Sequence, residues 1–445
     1  MAMRKRADEV FPNAAGIDVG GSTHWVAVPP HLAEQAGCPS VREFGAMTDD
    51  LSAMADWLSQ LGVEYVALES TGVYWIAVFE VLEARGLKVW LVDARQTRNV
   101  PGRKSDVLDC QWIQKLMSLG LLRAAWRPAA EVCEVRAIAR LRDVLTSEQA
   151  RWVQRMQKEL VQMNIQLGEV LTDVMGLTGQ KIIRAIVAGE RDAGELAKLR
   201  DRRVKASQEE VRRALTGTWK AEHLFVLAQA LSMYDDHARR LADCEAKLRE
   251  LVGARSERLV DIGALPRAGS KARQEFDARQ MLANWAGVDL TRIDGLGVNV
   301  VLTLLTEIGP DVSRFATVKQ FCSWLALCPG TKISGGKKLS SKTKLSANRA
   351  RQALKMAAQS LSRSGSALGA FYRRLCGRMD KPRANTAVAH KLARMVYFML
   401  TRGEAYVDQG QQRYEEQQRK RSIVALQRRA ASLGFLITPV AATSP

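Results

Sequence analysis

The chain has 445 residues and a mass of 49.3 kDa, enough for two or three domains that each bury a core. It carries 66 Lys and Arg against 47 Asp and Glu, a formal net charge of +19, so its partner should be nucleic acid or an anionic membrane surface. No run of about 18 apolar residues is present, and the basic residues 1–6 are not followed by the apolar stretch of a secretory signal. We therefore expect a cytoplasmic, nucleoid-associated protein that binds nucleic acid and no membrane.

The first part of the chain alternates apolar runs with helical periods. Strands are predicted at residues 14–20, 23–29, 41–46, 64–69 and 88–92, and helices at 49–61, 74–85 and 106–119. The first three strands are close enough in sequence to form an antiparallel meander. This order of elements is typical of an RNase H-like domain, whose first and fourth strands are neighbours at the centre of the sheet; that adjacency comes from fold analogy. We predict an α/β domain of this kind over residues 10–125.

Four carboxylates stand where a metal-dependent nuclease of that fold needs them. Asp18 lies near the end of the first predicted strand, Glu69 ends the fourth, and Asp106 and Asp109 share one face at the start of a helix. Any one of them could be a surface charge or a helix cap. Four together repel each other unless divalent cations neutralise them, so the set predicts a site for divalent metal ions. Positive charge that could meet a phosphate precedes the Asp pair, at Arg98, Arg103 and Lys104.

Residues 126–270 are predicted to form long helices with a coiled-coil pattern. Apolar residues alternate at spacings of three and four, at Leu224, Leu227, Leu231, Tyr234, Ala238 and Leu241. Leu248 and Val252 resume the pattern after a break at Glu245. An earlier helix within residues 131–170 also has one apolar face. Two interpretations remain open: the helices pack against each other within one chain, or they form an arm that assembles an oligomer. Residues 172–222 predict short basic helices.

Residues 275–410 form a third, mainly helical region. It opens with Gly295 and Gly297 in a Gly-x-Gly turn ahead of a helix. Such a turn can hold a DNA phosphate on its backbone amides, as in helix-hairpin-helix modules, although more often it only turns the chain. Residues 411–445 predict a basic helical tail.

Within this region a glycine-flanked segment, predicted to be a flexible loop, presents Ser334. Nucleic-acid contacts are predicted for the cations close behind it, Lys337, Lys338, Lys342, Lys344, Arg349 and Arg351. A serine hydroxyl becomes a nucleophile only when a base, a metal or concentrated positive charge activates it. The segment could equally be a phosphate-binding loop or a solvated linker. Rival nucleophiles are Ser340, Ser341 and Ser346.

Four motifs follow one another in an order that resembles a known family. They are Ile-Asp-Val at 17–19, Leu-Glu-Ser-Thr-Gly-Val-Tyr at 68–74, Lys-Ser-Asp-Val-Leu-Asp at 104–109, and Pro329 followed by Ser334-Gly335. Together they resemble the DEDD transposases of bacterial insertion sequences, relatives of the Piv DNA invertase and of bridge-RNA-guided recombinases. The resemblance covers residues 13–120 and 285–405, with a long helical region between them. It implies a RuvC-like N-terminal domain and a C-terminal domain with a nucleophilic serine.

The resemblance also implies an activity and a set of roles. The Mg²⁺ ligands would be Asp18, Glu69, Asp106 and Asp109, and Ser334 would be the nucleophile. The implied enzyme is a site-specific DNA recombinase that mobilises an insertion element through a serine–DNA phosphodiester. Its partners would be double-stranded donor and target DNA, a structured non-coding guide RNA, and further copies of itself in a dimer or tetramer. Two alternatives remain: a junction-resolving, RuvC-like endonuclease that uses activated water, and a non-catalytic nucleic-acid-binding protein. The presence of all four acids argues against the last.

Overall fold

The computed structural model divides into two compact units, residues 1–127 and 128–445. It describes residues 9–69, 72–97, 105–255, 259–263, 278–403, 410–436 and 438. Across these ranges no helix combines the length and the apolarity that crossing a bilayer requires. The first unit is an α/β sheet domain and the second is mostly helical, which confirms the predicted fold class at this level.

The first unit is built on one five-stranded sheet. Its strands are β1 Ala14–Val19, β2 Thr23–Ala27, β3 Val41–Gly45, β4 Tyr65–Glu69 and β5 Lys88–Val92. Its helices are α1 Pro30–Ala36, α2 Thr48–Gln60, α3 Trp75–Ala84, α4 Ala94–Thr97 and α5 Asp106–Ser118. The strand order is β3-β2-β1-β4-β5, with β1, β2 and β3 antiparallel and with β4 and β5 parallel to β1. The predicted meander and the predicted adjacency of the first and fourth strands are both confirmed.

Helix α1 is the one element between β2 and β3 that the sequence prediction missed. Its start and end follow ordinary helix rules, because Pro30 opens it and Gly37 ends it in a left-handed conformation with φ of 64°. With only seven residues, it shows too little periodicity to stand out from the loop that joins the two strands.

Helices cover both faces of the sheet, and a different set of strand residues packs against them on each face. Ile17 and Leu68 pack with Met54 and Leu82 in a core shared with α2 and α3. Ala14 and Ala67 point to the opposite face and pack against α5. Because side chains alternate along a strand, Asp18 lies on the same face as Ala14. The central strands therefore direct Asp18 towards α5.

The second unit contains two long helices and two groups of shorter elements. The helices are α6 Ala130–Gln162, α7 Leu167–Val170, α8 Leu177–Val187, α9 Ala193–Lys198, α10 Gln208–Ala214, α11 Ala221–Gly253, α12 Arg279–Ala286, α13 Val298–Ile308, α14 Val318–Trp324, α15 Arg349–Ser360, α16 Ala367–Cys376, α17 Lys381–Arg402 and α18 Gln411–Ser432. A two-stranded sheet joins β6 Lys332–Ser334 to β7 Lys337–Ser340. Short 3-10 turns occupy Leu290–Arg292 and Leu361–Arg363.

The two long helices α6 and α11 pack against each other along one chain, which is one of the two interpretations left open above. One end of the pair shares a core with α8 and the other short helices, around Met156, Ile183 and Leu231. The other end shares a core with α12 to α17, through residues such as Val135 and Leu248. The predicted break at Glu245 interrupts the apolar pattern, but α11 continues through it. Glu245 is accommodated at this position of the helix pair by an ion pair, since the Arg142 guanidinium of α6 lies 2.8 Å from Glu245 Oε1.

Candidate active site

The four carboxylates come together through the register of the two central strands. In the parallel pair of β1 and β4, Ile17 lies opposite Leu68. The residues that follow are Asp18 and Glu69, so both acids reach the same edge of the sheet. Helix α5 supplies Asp106 as its first residue and Asp109 one turn later. The sequence prediction placed these four residues at the ends of the correct elements.

A close contact between α5 and β1 fixes the distance between the two sets of acids. Ser105 caps α5 by accepting a hydrogen bond from the Leu108 amide at 3.3 Å. Farther along, the backbone of Cys110 and Gln114 runs so close to Gly16 that a Cβ there would overlap both. Only glycine permits this approach. Gly16 lies two residues before Asp18, so this contact holds α5 close to the part of β1 that carries Asp18.

The pKa of Asp18 is affected by burial and by the other three acids. Burial raises the pKa of Asp18 from 3.8 to about 6, and the charges of Asp106, Asp109 and Glu69 add to the rise. In the described part of the chain, however, no three acidic, histidine or cysteine side chains surround one point tightly enough to hold a metal ion. Charges act over several ångströms, whereas coordination needs oxygens about 2 Å from the ion. The four carboxylates are therefore near enough to influence the charge of Asp18, but in the described residues no three of them converge on one point.

Thr97 orients one of the acids, and sequence reasoning missed it. Its hydroxyl lies 2.8 Å from Glu69 Oε2 and 3.0 Å from the carbonyl oxygen of Ala94. Trp112 on α5 donates its indole N–H to the carbonyl oxygen of Thr97 at 3.1 Å. Thr97 therefore ties Glu69 to α4 and α5. No motif marks a lone threonine, so only the contact could reveal it.

Some predicted residues of this site cannot be placed. Arg98, Arg103 and Lys104 lie outside the described residues, as do Ser70 and Thr71. The predicted role of the three cations near the acids stays a prediction.

The predicted nucleophile lies at the end of a β-hairpin rather than in the flexible loop expected from the sequence. Gly335 and Gly336 form a two-residue turn with φ of 52° and 75°, and Ser334 pairs with Lys337 across it. Two consecutive positive φ angles are typical of the tight turns that join twisted strands, and glycine adopts them without strain. At the base, Gly330 donates its amide to Lys342 O at 2.9 Å. Paired strands therefore hold the serine in a defined, exposed position.

Two of the three rival serines differ from Ser334 in their hydrogen bonds. Ser340 Oγ accepts from the Lys342 amide at 3.3 Å, and Ser346 Oγ accepts from the Asn348 amide at 3.2 Å. Both hydroxyls thus stabilise local turns. Among the described residues, no hydrogen bond to Ser334 Oγ is found, and its whole strand is exposed. The geometry favours Ser334 over Ser340 and Ser346 as the group that is free to react.

The six cations predicted to contact nucleic acid divide into two groups. The four lysines, Lys337, Lys338, Lys342 and Lys344, are exposed on or beside the hairpin. The two arginines are partly buried and have protein partners. Arg349 pairs with Asp143 and, at 3.3 Å, with Glu307. Arg351 donates to Thr343 Oγ1 at 3.2 Å and to Ser346 O at 3.4 Å, so it ties the hairpin base to α15.

The hairpin lies in a long stretch without acidic residues. No Asp or Glu occurs between Asp311 and Asp380 in the sequence. The exposed lysines of the hairpin therefore have no acidic neighbour along the chain to neutralise them. Such a surface attracts phosphate.

Gly295 and Gly297 both precede α13, but only the first position needs a glycine for structural reasons. Gly295 has φ of 87°, and a Cβ there would lie 2.8 Å from the Ala357 carbonyl oxygen. Packing against α15 thus explains this glycine. Gly297 caps α13 and has open space where a side chain would be. Its predicted contact with DNA stays a prediction.

Two models of known families match the chain. The first describes the DEDD transposases of the IS110 type, and it matches residues 15–165, which include all four carboxylates. A model described as the transposase IS116/IS110/IS902 family matches residues 289–373, which include the hairpin. No curated protein is significantly similar to the chain. The two matches together cover more than half of the 445 residues, and the chain therefore belongs to the DEDD transposase family of insertion sequences.

Proposed function

We propose that this transposase is a site-specific DNA recombinase that cleaves and rejoins strands through a serine–DNA phosphodiester. Membership of the family implies DNA binding and, in general, DNA cleavage and rejoining. The observation that carries the finer proposal is the pairing of two features in one chain: carboxylates at the centre of a sheet, and a free serine hydroxyl on an exposed basic hairpin. The strand order β3-β2-β1-β4-β5 supports an RNase H-like, RuvC-like assignment for the first unit.

The metal in this proposal is Mg²⁺. Transposase domains of the DEDD type generally depend on a divalent metal. The candidate ligands are Asp18, Glu69, Asp106 and Asp109, and an all-carboxylate set suits a hard cation that prefers oxygen. The raised pKa of Asp18 fits this role, because a cation would relieve the repulsion that causes part of the rise. Bound Mg²⁺ would stabilise the charge on the attacking and leaving oxygens of phosphoryl transfer.

Ser334 supplies the nucleophile in the proposed reaction. Its Oγ forms a bond to the scissile phosphorus, the hydroxyl proton is lost, and one P–O bond of the DNA strand breaks. The released strand end leaves as a hydroxyl. Because one phosphoester replaces another, a second strand end can later displace the serine without an external energy source. The lysines beside Ser334 hold the phosphate and favour the ionised hydroxyl.

The runner-up is a metal-dependent endonuclease in which water attacks and Ser334 is structural. The carboxylates alone would be sufficient for that reaction. DNA that spans one end of the element, incubated with the full chain and Mg²⁺, separates the two on a denaturing gel. A covalent protein–DNA adduct supports the recombinase, and free ends without an adduct support the endonuclease. No cleavage under any condition would leave a non-catalytic nucleic-acid-binding protein.

A structured guide RNA is proposed as the second nucleic-acid partner, on the basis of the family resemblance and the +19 charge. The test is to purify the full chain from its host and to sequence the RNA that accompanies it. One abundant RNA of defined sequence supports the proposal. A random sample of cellular RNA contradicts it.

Nucleic-acid binding should weaken steeply with salt, because each neutralised phosphate releases counterions. Six to ten phosphate contacts would reduce affinity by about a thousandfold or more between roughly 50 and 200 mM salt. Charge reversal at Lys337 and Lys338 should flatten the slope, which a fluorescence anisotropy titration measures. Charge reversal at Lys247, which already pairs with Glu250, is the control and should leave the slope closer to the parental value. A binding constant insensitive to salt would show that the excess charge does not serve phosphate.

The chain should form a dimer or a larger homo-oligomer on nucleic acid. Leu141 and Val144 lie one turn apart on α6 and are 48% and 54% exposed. Leu231, by contrast, lies in the core within the chain, so its substitution would test folding. Replacing Leu141 and Val144 with Asp should therefore reduce the mass measured by light scattering towards 49.3 kDa. Met356→Asp, at an equally exposed position on α15, should not. A parental chain that stays monomeric on its substrate would refute the oligomer.

Removing the Thr97 hydroxyl should weaken cation binding at the carboxylates. Thr97→Val keeps the shape but leaves Glu69 without its hydrogen bond, and loss of such an outer partner typically costs about 10- to 100-fold in metal affinity. Thr97→Ser retains the hydroxyl and should bind nearly as the parent does. Calorimetric titration of the full chain with Mn²⁺ or Mg²⁺ measures the difference. Equal affinities for the Val and Ser variants would exclude the orienting role.

A further inference from the structure

Exposed apolar side chains follow Glu69 in the chain, and one more lies between the two Asp residues of α5. Val73 and Tyr74 are 69% and 53% exposed, just after Glu69 in sequence. Ile76 follows at the start of α3, and Leu108 is exposed on α5 between the two Asp residues. Phosphate and metal binding require none of these apolar groups. Tyr74 is the one of these side chains whose position next to the acids is fixed by contacts.

Tyr74 is tied to the edge of the sheet that carries the acids. Its ring lies against two glycines, since a Cβ on Gly21 or on Gly72 would come within 3.6 Å of ring carbons. Gly21 lies three residues after Asp18, and Gly72 lies three residues after Glu69. The ring thus bridges the chain where it leaves the two central strands. The ring packs against the backbone of these two glycines, which have no side chains to displace it.

A purely structural role accounts poorly for this side chain. A tyrosine that stabilises a fold normally buries its ring or uses its hydroxyl in a hydrogen bond. Tyr74 is more than half exposed, and none of the described residues forms a hydrogen bond with its hydroxyl. The remaining interpretation is an exposed aromatic ring, set against the glycines that follow Asp18 and Glu69, that can receive a ligand.

An aromatic face of this kind suits a nucleobase. Unpaired bases stack on exposed tyrosine rings without regard to sequence, and the nucleotide next to a bound phosphate carries its base only a short distance away. A base inside a duplex is covered by its neighbours, so the occupant must be unstacked. A strand opened for cleavage and exchange provides such a base.

We infer that Tyr74 is a stacking platform for a nucleobase adjoining the scissile phosphate. The inference rests on the proposed function, because it assumes that DNA reaches the carboxylates. It adds a subsite that holds the strand by its base, next to the residues that act on its phosphate. Tyr74 is a positioning residue and does not touch the reacting atoms.

The test is a cycle that combines a Tyr74 variant with an abasic substrate. The probe is duplex DNA spanning one end of the element, with a single abasic nucleotide moved stepwise across the cleaved position. Affinity is measured for the full chain and for Tyr74→Leu. Alanine substitution of stacking aromatics costs about 5- to 150-fold in affinity, so about a tenfold loss is expected for Tyr74→Leu on intact DNA. At one or two adjacent positions the abasic probe should remove this difference, because the base and the ring act as a pair.

Three controls keep the outcome interpretable. Tyr74→Phe keeps the ring and should bind as the parent does. Phe225→Leu removes an equally exposed aromatic from α11 and should have no abasic-dependent effect. Melting temperatures of the Tyr74 variants should match the parental value, since the side chain is exposed.

Two results would overturn the inference. One is that the parent and Tyr74→Leu bind DNA with equal affinity, or that Tyr74→Leu causes the same loss of affinity on every abasic probe as on intact DNA. The other is an unchanged affinity together with a lower oligomeric mass, which would assign the ring to a protein contact. Failure of the proposed function looks different: Asp18→Asn would then cleave DNA as the parent does, whatever the Tyr74 cycle shows.

Discussion

Replacing Asp18 with Asn is expected to abolish strand cleavage and to leave DNA binding largely intact. Asp18 lies one residue before the end of the central strand β1 and is partly buried beside the other acids, so we expect no neighbour to replace its charge as a ligand. Asn has the same shape but offers a weaker, neutral oxygen to a cation. The lysines of the hairpin, which lie in the other unit, still attract phosphate. Cleavage assays in Mg²⁺ and anisotropy titrations of the same variant measure the two effects separately.

The pKa of Asp18 gives this prediction a pH dependence. Protons compete with the cation for Asp18, so cation affinity and cleavage should rise as the pH increases through about 6 and then level off. The folded pKa lies above the ordinary value of 3.8, so the metal-free fold loses stability as the pH rises from 3.8 through about 6. Above pH 6 without metal, Asp18→Asn should therefore melt at a higher temperature than the parent. Cleavage by Asp18→Asn at the parental rate would remove the metal assignment.

Replacing Ser334 with Ala should eliminate recombination and any covalent adduct. Loss of a nucleophile commonly reduces turnover by a thousandfold or far more. The exposed hydroxyl makes no structural hydrogen bond to a described residue, so the fold should be unaffected and DNA binding should persist. Ser340→Ala and Ser341→Ala are the matched controls on the same hairpin. They should retain most activity, with a small loss at Ser340, whose hydroxyl supports the turn at Lys342.

A variant at Ser334 that still cleaves DNA and yields free ends would favour the endonuclease alternative. Gel analysis of the products separates these outcomes, because an adduct migrates with the protein until it is digested. Melting curves of Ser334→Ala exclude misfolding as the cause of a loss.

Much of the first unit could be predicted from sequence because three of its strands, β1, β4 and β5, are short apolar runs that end at glycine or at an acid. All five strands and helices α2, α3 and α5 lie where hydrophobic periodicity placed them. The same pattern brought Asp18 and Glu69 to strand ends. Adjacency of those strands needed the fold analogy, since no periodicity in one strand reports its neighbour.

Other features depend on contacts that a linear pattern does not carry. Thr97 binds Glu69 across 28 residues, and Arg349 pairs with Asp143 across 206. Such contacts are set by tertiary packing. The serine segment was expected to be a flexible loop because glycines and lysines dominate it. Its Gly335-Gly336 pair is equally a two-residue turn signal, and the flanking β6 and β7 make it a hairpin.

The heptad pattern of α11 predicts a helix with one apolar stripe, which is confirmed, but it does not show which helix packs against that stripe. An apolar stripe looks the same whether it faces a helix of its own chain or of another. The structure shows that α6 covers both ends of the stripe within one chain. The exposed Leu141 and Val144 on α6 remain the proposed site of assembly.

The central claim is that Ser334 becomes joined to DNA, and peptide mapping of the trapped adduct tests it most directly. The full chain is incubated with Mg²⁺ and DNA spanning one end of the element, quenched with denaturant, and digested with protease and nuclease. Mass spectrometry of the residual nucleotide should then locate it on the peptide that carries Ser334, and no such peptide should form with Asp18→Asn. A nucleotide attached to any other residue, or active cleavage without an adduct, would contradict the account.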